Sequence, residues 1–214
     1  GVSVRYAASP RELGTPDLVV LPGTKSTIAD LLWMRQNGLA AAVRRLAARG
    51  VPVLGICGGY QMLGRSIADP EGAEAAAGTE EAGLGLLPLD TVFRGEKVQT
   101  QSRGRFARVG GLFSGLTGMA YEGYEIHMGR GEEDLPVLQS AGNVYGTYLH
   151  GVFDAPGAAD AVLEALCRKK GVDFARLGAF DAAAYRERQY DLLADAVREH
   201  LDMELIYRAM ERKS

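Results

Sequence analysis

Histidine and cysteine are both scarce in this chain, with three of the first and two of the second among 214 residues. Two cysteines, Cys57 and Cys167, cannot build a disulfide framework, so the expected setting is a reducing cytoplasm. No apolar run reaches the ~18 residues that a membrane-spanning helix needs. No signal-peptide pattern opens the sequence. An excess of positive charge is also missing. The formal net charge is −3, which argues against a nucleic-acid binder driven by phosphate neutralisation. The Gly-x-x-x-x-Gly-Lys-Ser/Thr loop that cradles nucleotide phosphates is absent too. The stretch GTKST at 23–27 lacks both the Gly-Lys pair and the earlier glycine. There is no internal repeat. The rest is ordinary globular composition, 47% hydrophobic and 24% charged. The length suits one α/β domain or a domain with an appendage. The chain opens on Gly1 rather than Met, and is expected to be a piece of something longer.

Strand and helix signals alternate along the first half. VSVRYA (2–7) alternates as a strand does, and DLVVLP (17–22) is a short continuous apolar run that ends at Pro22-Gly23, as a buried parallel strand would. From Ser26 to Ala48 apolar residues recur at helical spacing, with Asn37-Gly38 dividing two helices. VPVLGI (51–56) reads as another buried strand, and Tyr60 to Ile67 as a helix. Residues 69–83, DPEGAEAAAGTEEAG, offer little to bury and read as a surface loop. Strands are then expected near 91–93, 97–102, 105–109, 120–128 and 144–149, separated by glycine turns. Helices follow at 158–170, 181–199 and 201–212. Leu192, Leu193, Ala196, Val197, Leu201 and Leu205 form a stripe expected to pack on the chain's own domain.

The segment VPVLGICGGYQMLG (51–64) carries the chemistry. A strand, a reactive residue, then glycines and a helix is the arrangement of a nucleophile elbow. Gly55 and Gly59 lie two residues either side of Cys57, where bulky side chains would collide. The N–H of Gly58 can face an oxyanion. A helix N-terminus at Cys57 favours thiolate over thiol. The alternative is a buried structural cysteine in a tight turn. A nucleophilic cysteine needs a base, and the candidates are His127, His150 and His200. His200 lies in a charged helix and reads as solvated. His150 ends the strand-like YGTYLHG, where α/β proteins bind their ligands. His127, in GYEIHMG, is a weaker candidate of the same kind.

GICGGYQ matches the Cys-x-Gly-x-Gln pattern of class I glutamine amidotransferases at Cys57, Gly59 and Gln61. More narrowly, LPGTKSTIADL (21–31), LGICGGYQMLG (54–64), GLGLLP (83–88), GYEIHMGR (123–130), GTYLHGVFD (146–154) and HLDMELIYRAM (200–210) resemble, in order, the amidotransferase part of the cobyric acid synthase family. That resemblance implies a flavodoxin-like, doubly wound, mostly parallel α/β sheet over 1–165, with a helical extension over 166–214 packing on it. It implies that glutamine is the substrate and that its ammonia serves the ATP-dependent amidation of peripheral carboxylates of adenosylcobyrinic a,c-diamide, in cobalamin biosynthesis. Cys57 would form a γ-glutamyl thioester, and His150 would protonate the leaving ammonia and then activate water. The N–H of Gly58, with one from Gly23 or Thr24, would hold the oxyanion, and Gln61 and the Gly23 loop would position glutamine. GTKST then reads as a glutamine-site loop. The residue two after His150 is Val152, where most of the class carries Glu. Asp154, Glu125 or a backbone carbonyl are the candidates for orienting the imidazole.

Related chains place an ATP-binding synthetase domain and an opening strand before this region. This chain is expected to start after both, with no cofactor or metal of its own, and with ATP and Mg²⁺ on that synthetase partner. The corrinoid would be met through the same partner. Three geometric expectations follow: Cys57 at a strand-to-helix turn, His150 within about 3–4 Å of its sulfur, and a gap, a rearranged pairing or a strand supplied by another chain where the opening strand belongs. The competing readings are an amidotransferase for another large acid (the a,c-diamide step or a peptidoglycan precursor), a stand-alone cysteine hydrolase of the same fold, and a catalytically silent scaffold.

Overall fold

The computed structural model describes residues 2–130, 135–177 and 182–211. In chain order, the short helix α1 (Pro10–Leu13) leads to β1 (Val19–Leu21), then α2 (Thr27–Gln36) and α3 (Leu39–Ala48), β2 (Val53–Ile56) and α4 (Gly58–Leu63). Next come β3 (Ser66–Asp69), β4 (Thr79–Ala82), β5 (Asp90–Arg105), β6 (Ala120–Arg130), β7 (Gln139–Ala141), β8 (Val144–Thr147) and α5 (Ala158–Lys170). Helices α6 (Ala182–His200) and α7 (Met203–Glu211) close the described chain.

Apolar runs without polar alternation need cover on both faces, and the first sheet supplies it. Its order is β1-β2-β8-β7, with β1, β2 and β8 parallel and β7 antiparallel. Neighbouring residues of β2 feed opposite cores. Val53 packs with Ile28, Leu31, Val43 and Leu46 of α2 and α3. Leu54 packs on the other side with Phe113, Tyr145 and Val162. Both residues are fully buried, and each such side chain is worth about 1.5–3 kcal/mol of burial. Helices therefore cover both faces, as the flavodoxin-like reading requires. Asn37 and Gly38 do separate α2 from α3, with Gly38 left-handed at φ 81°.

A second sheet, in the order β4-β3-β5-β6, was not foreseen. Helix α4 ends at Leu63, so Ile67 belongs to β3 rather than to a helix. The expected loop at 69–83 contains β4, a polar strand with no apolar alternation to betray it. Strands β5 and β6 form a long antiparallel ribbon, with a register shift between Phe93 and Val98. The expected strand at 105–109 is only the end of β5, because Phe106 leaves the ribbon for the second core.

Residues 2–7 form no strand, and Val2, Val4 and Tyr6 are exposed. An alternating pattern makes a strand only when a neighbour accepts its hydrogen bonds. Among the described residues β1 pairs only with β2, so the first sheet stops at β1.

The chain divides into two units, Gly1–Arg176 and Leu177–Ser214. α5 runs unbroken across residue 165 and belongs whole to the first, burying Ala158, Val162 and Cys167. Helices α6 and α7 of the second match the expected pair, save that residues 181 and 212 lie outside the described ones. The stripe residues Leu192, Leu193, Ala196 and Val197 lie on α6, and Leu205 on α7.

Asp69 organises the turn after β3. Its carboxylate accepts the N–H groups of Ala73, Glu74 and Ala75 at 2.6–2.8 Å. Burial opposes its charge, but these bonds and that of Gly72 more than offset it and hold the carboxyl below its usual range. The stabilisation is therefore complete above the ordinary carboxylate pKa of about 3.9 and is lost on acidification through the lower folded value. Asp69→Asn should cost about 1–3 kcal/mol at pH 7. Urea melts of both proteins at several pH values should show this difference shrinking below about pH 4. A gap independent of pH would show that the charge is not what matters.

Candidate active site

Cys57 sits between β2 and α4 with φ 53° and ψ −113°, and among the described residues no other non-glycine has positive φ. Such a backbone costs on the order of 1–3 kcal/mol, and is kept only where the surroundings fix it. The flanking glycines do that. A Cβ on Gly55 would lie 2.6 Å from Gly59 O, and one on Gly59 only 2.0 Å from Leu21 O. A Cβ on Gly58 would lie 2.6 Å from Thr24 Cγ2 and 3.2 Å from Thr24 N. The elbow thus packs main chain against main chain, bringing the loop after β1 over the cysteine. Gly23 lies in that loop. A Cβ there would touch Cys57 Cβ and His150 Cε1, each at 3.5 Å. Both side chains therefore border the Gly23 backbone.

The amides sort themselves. Cys57 N–H donates to Thr147 O at 2.8 Å and Gly59 N–H to Pro22 O at 3.1 Å. Gly58 N–H turns to the sulfur. Among the described residues, the N–H groups of Gly23 and Thr24 meet no main-chain acceptor. The Thr24 hydroxyl is occupied, donating to Asp30 and accepting from Ser26 N–H.

The sulfur itself departs from expectation. Cys57 is 8% exposed, and burial pushes its thiol up. The Gly58 N–H works the other way, and the charge of Glu74 raises it further. Burial outweighs the helix end. The thiol donates to Ile126 O of β6 at 3.3 Å, and among the described residues His150 Nε2 is buried and without a hydrogen-bond partner. At rest a main-chain carbonyl accepts the proton of the thiol.

His150 lies three residues beyond β8, half-buried, joined to β6 by a bridge to Tyr124. Burial lowers its pKa and Glu125 opposes the shift, so the imidazole is neutral at pH 7. Of the two orienting carboxylates expected, Asp154 lies beside Gly151, its Oδ2 3.1 Å from where a Cβ there would be, and makes no hydrogen bond to His150. Glu125 acts through space and lies 3.8 Å from His127 Nε2. His127 is committed elsewhere, its Nδ1 2.6 Å from Gly129 O and its ring stacked on Tyr148 at 3.8 Å. His200 is on α6, its Nδ1 2.9 Å from Ala196 O.

Gln61 is fully buried, and its amide braces the interior. It accepts from the Thr27 hydroxyl at 3.3 Å and donates to the Tyr148 hydroxyl at 3.4 Å. Burial pushes Tyr148 up to about 12, so it stays a neutral phenol. Glu74, in the turn held by Asp69, accepts from Ile28 N–H at 2.7 Å at the start of α2. Burial raises its carboxyl, which the Ile28 and Thr27 contacts partly offset. Sequence reading missed Glu74, Tyr148, Ile126 and Tyr124. Only the strand expected at 120–128 placed the last two on a common element.

A thiol, a neutral imidazole and free amides converging on one point can attack and cleave a carboxamide. Comparisons with known proteins agree with that chemistry. Residues 1–158 match the model of the CobB/CobQ-like glutamine amidotransferase domain. The chain is 46% identical over 228 residues to the cobyric acid synthase of Ruminiclostridium cellulolyticum, covering 98% of this chain and 44% of that protein. It is 45% identical over 235 residues to that of Lachnoclostridium phytofermentans, covering 98% and 45%. It is 43% identical over 215 residues to a probable cobyric acid synthase of Methanocella arvoryzae, covering 97% and 43%. The chain therefore spans less than half the length of these curated relatives. In fold it is similar to a solved glutamine amidotransferase, 18% identical, with a TM-score of 0.53 over 77% of this chain and 87% of that one.

Proposed function

The chain belongs to the CobB/CobQ-like glutamine amidotransferase family, and from that premise we propose that it is the glutaminase portion of a cobyric acid synthase. The observation that carries the reading is that Cys57 and His150 both border Gly23, with Cys57 on a strained turn.

The thiol is protonated at rest, so attack and deprotonation go together. His150 Nε2 takes the thiol proton as Sγ bonds to the carboxamide carbon of glutamine. Gly58 N–H, with Gly23 or Thr24 N–H, holds the negative oxygen of the tetrahedral intermediate. The imidazolium returns its proton to the nitrogen, the C–N bond breaks, and ammonia leaves behind a γ-glutamyl thioester. Water, deprotonated by the same imidazole, then cleaves the thioester to glutamate and the free thiol. Gln61 shapes the site by tying Thr27 to Tyr148. The loop 23–27 stands over Cys57, which suits a glutamine-site loop better than a phosphate loop.

The ammonia would amidate peripheral carboxylates of adenosylcobyrinic a,c-diamide, at a site built by an ATP-binding synthetase partner. ATP and Mg²⁺ belong to that partner, since activating a carboxylate needs held phosphates. Both cysteines are free, which suits work in the cytoplasm. This chain alone should release glutamate slowly from glutamine, without ATP or corrinoid. Glutamate assay and calorimetry with ATP·Mg²⁺ test the division of labour. Micromolar ATP binding by this chain, or no glutamate release at all, would sink the assignment.

A further inference from the structure

The carboxylate that orients the catalytic histidine in most of the wider class has no counterpart here. Val152 stands at that place, 2% exposed in the second core. Asp154 does not reach the imidazole, and the Glu125 contact in the structure is with His127. The ring of His150 must be held by something else.

Strand β6 supplies it. His150 N–H donates to Tyr124 O at 2.8 Å, and Tyr124 N–H donates to His150 O at 3.3 Å. The approach is close because the preceding residue is Gly123, where a Cβ would fall 2.1 Å from His150 O. The Tyr124 ring then lies flat on the imidazole, with centroids 4.9 Å apart and planes 2° from parallel. Core packing does not explain this ring, since Tyr124 is 48% exposed. Two residues along the same strand, Ile126 O accepts the thiol of Cys57. One strand thus holds both reacting groups.

We propose that Tyr124 is the positioning residue of this site, its ring fixing the plane of the His150 imidazole toward Cys57 in place of the absent carboxylate. This rests on the reading of His150 as the general base. A flat aromatic face restricts rotation of the imidazole about its bond to Cβ. It also favours the imidazolium that forms when the thiol proton is taken, through the negative π face. A phenyl ring can do both, so the hydroxyl is dispensable.

The test compares Tyr124→Phe, Tyr124→Leu and Tyr124→Ala in glutamine hydrolysis by the full chain. Phenylalanine should keep kcat within about twofold. Leucine and alanine should lower kcat about 10–100-fold, with KM changed less than about threefold. Should the alanine variant fail to fold, the Phe and Leu pair decides. Leucine with the kcat of phenylalanine overturns the inference while leaving the function standing. The stack is also read by NMR, independently of turnover. The His150 Cε1 proton should be shifted upfield by the ring current in the wild type and in Tyr124→Phe, and should move back in Tyr124→Leu. An unshifted proton in the wild type overturns the inference even if no glutamine is hydrolysed.

Discussion

Cys57→Ala and Cys57→Gly should both end glutamine hydrolysis, with kcat falling at least ~10⁴-fold, yet they should differ in stability in the unusual direction. In a regular helix or strand, glycine is the less stable of the two by about 0.5–1 kcal/mol. At Cys57 the order should reverse. With φ at 53° and ψ at −113°, any Cβ strains the turn, and glycine relieves it. We expect the glycine protein to be about 1–2 kcal/mol more stable than the alanine protein, by guanidinium melts. Both lack the thiol, so the comparison isolates the backbone. Alanine equal to or better than glycine would mean that the elbow is not strained. Residual turnover in either would mean that Cys57 is not the nucleophile.

Gly59→Ala should be among the most damaging single methyl groups at the described glycines. Its Cβ would sit 2.0 Å from Leu21 O and 2.5 Å from Leu21 C, both main-chain atoms of a paired strand. No side chain can swing away. Either β1 or α4 must shift, which costs roughly 3 kcal/mol or more, and α4 starts directly after Cys57. Thermal melting should show a drop of many degrees or an insoluble protein, and any soluble fraction should be inactive. Gly110→Ala is the matched control. Nothing lies within 4 Å of its Cβ, so it should change stability by less than about 0.5 kcal/mol. Equal melting of the two variants would refute the packing argument.

Steric rules made the elbow legible: glycines at 55, 58 and 59 around one cysteine leave few other conformations. The same holds for the break at Asn37-Gly38 and for the apolar strands β1, β2 and β8, whose runs demand two-sided burial. What escaped reading depends on partners far away in sequence. VSVRYA alternates like a strand, but alternation does not supply the neighbour that a strand must bond to. TEEA makes β4 because Asp69 gathers the preceding turn and β3 offers an edge. Gln61 sits where the family pattern expects it, but that it braces Thr27 and Tyr148 emerges only in three dimensions. The thiol was read from its helix end alone, and burial among β6 residues outweighed it. The tethering of Cys57 and His150 to one strand brings Tyr124 and Ile126 to residues 26 and 69 positions away, and no local signal reports such a distance.

The bond from the Cys57 thiol to Ile126 O has a consequence for durability. Peroxide and other oxidants attack thiolates, not thiols, and sulfenic acid formation follows thiolate character and access. A nucleophile kept protonated, nearly out of solvent and capped by a carbonyl is chemically quiet while it waits. In the proposed mechanism, the arrangement that keeps the thiol protonated until attack also shields the sulfur from oxidative damage between turnovers.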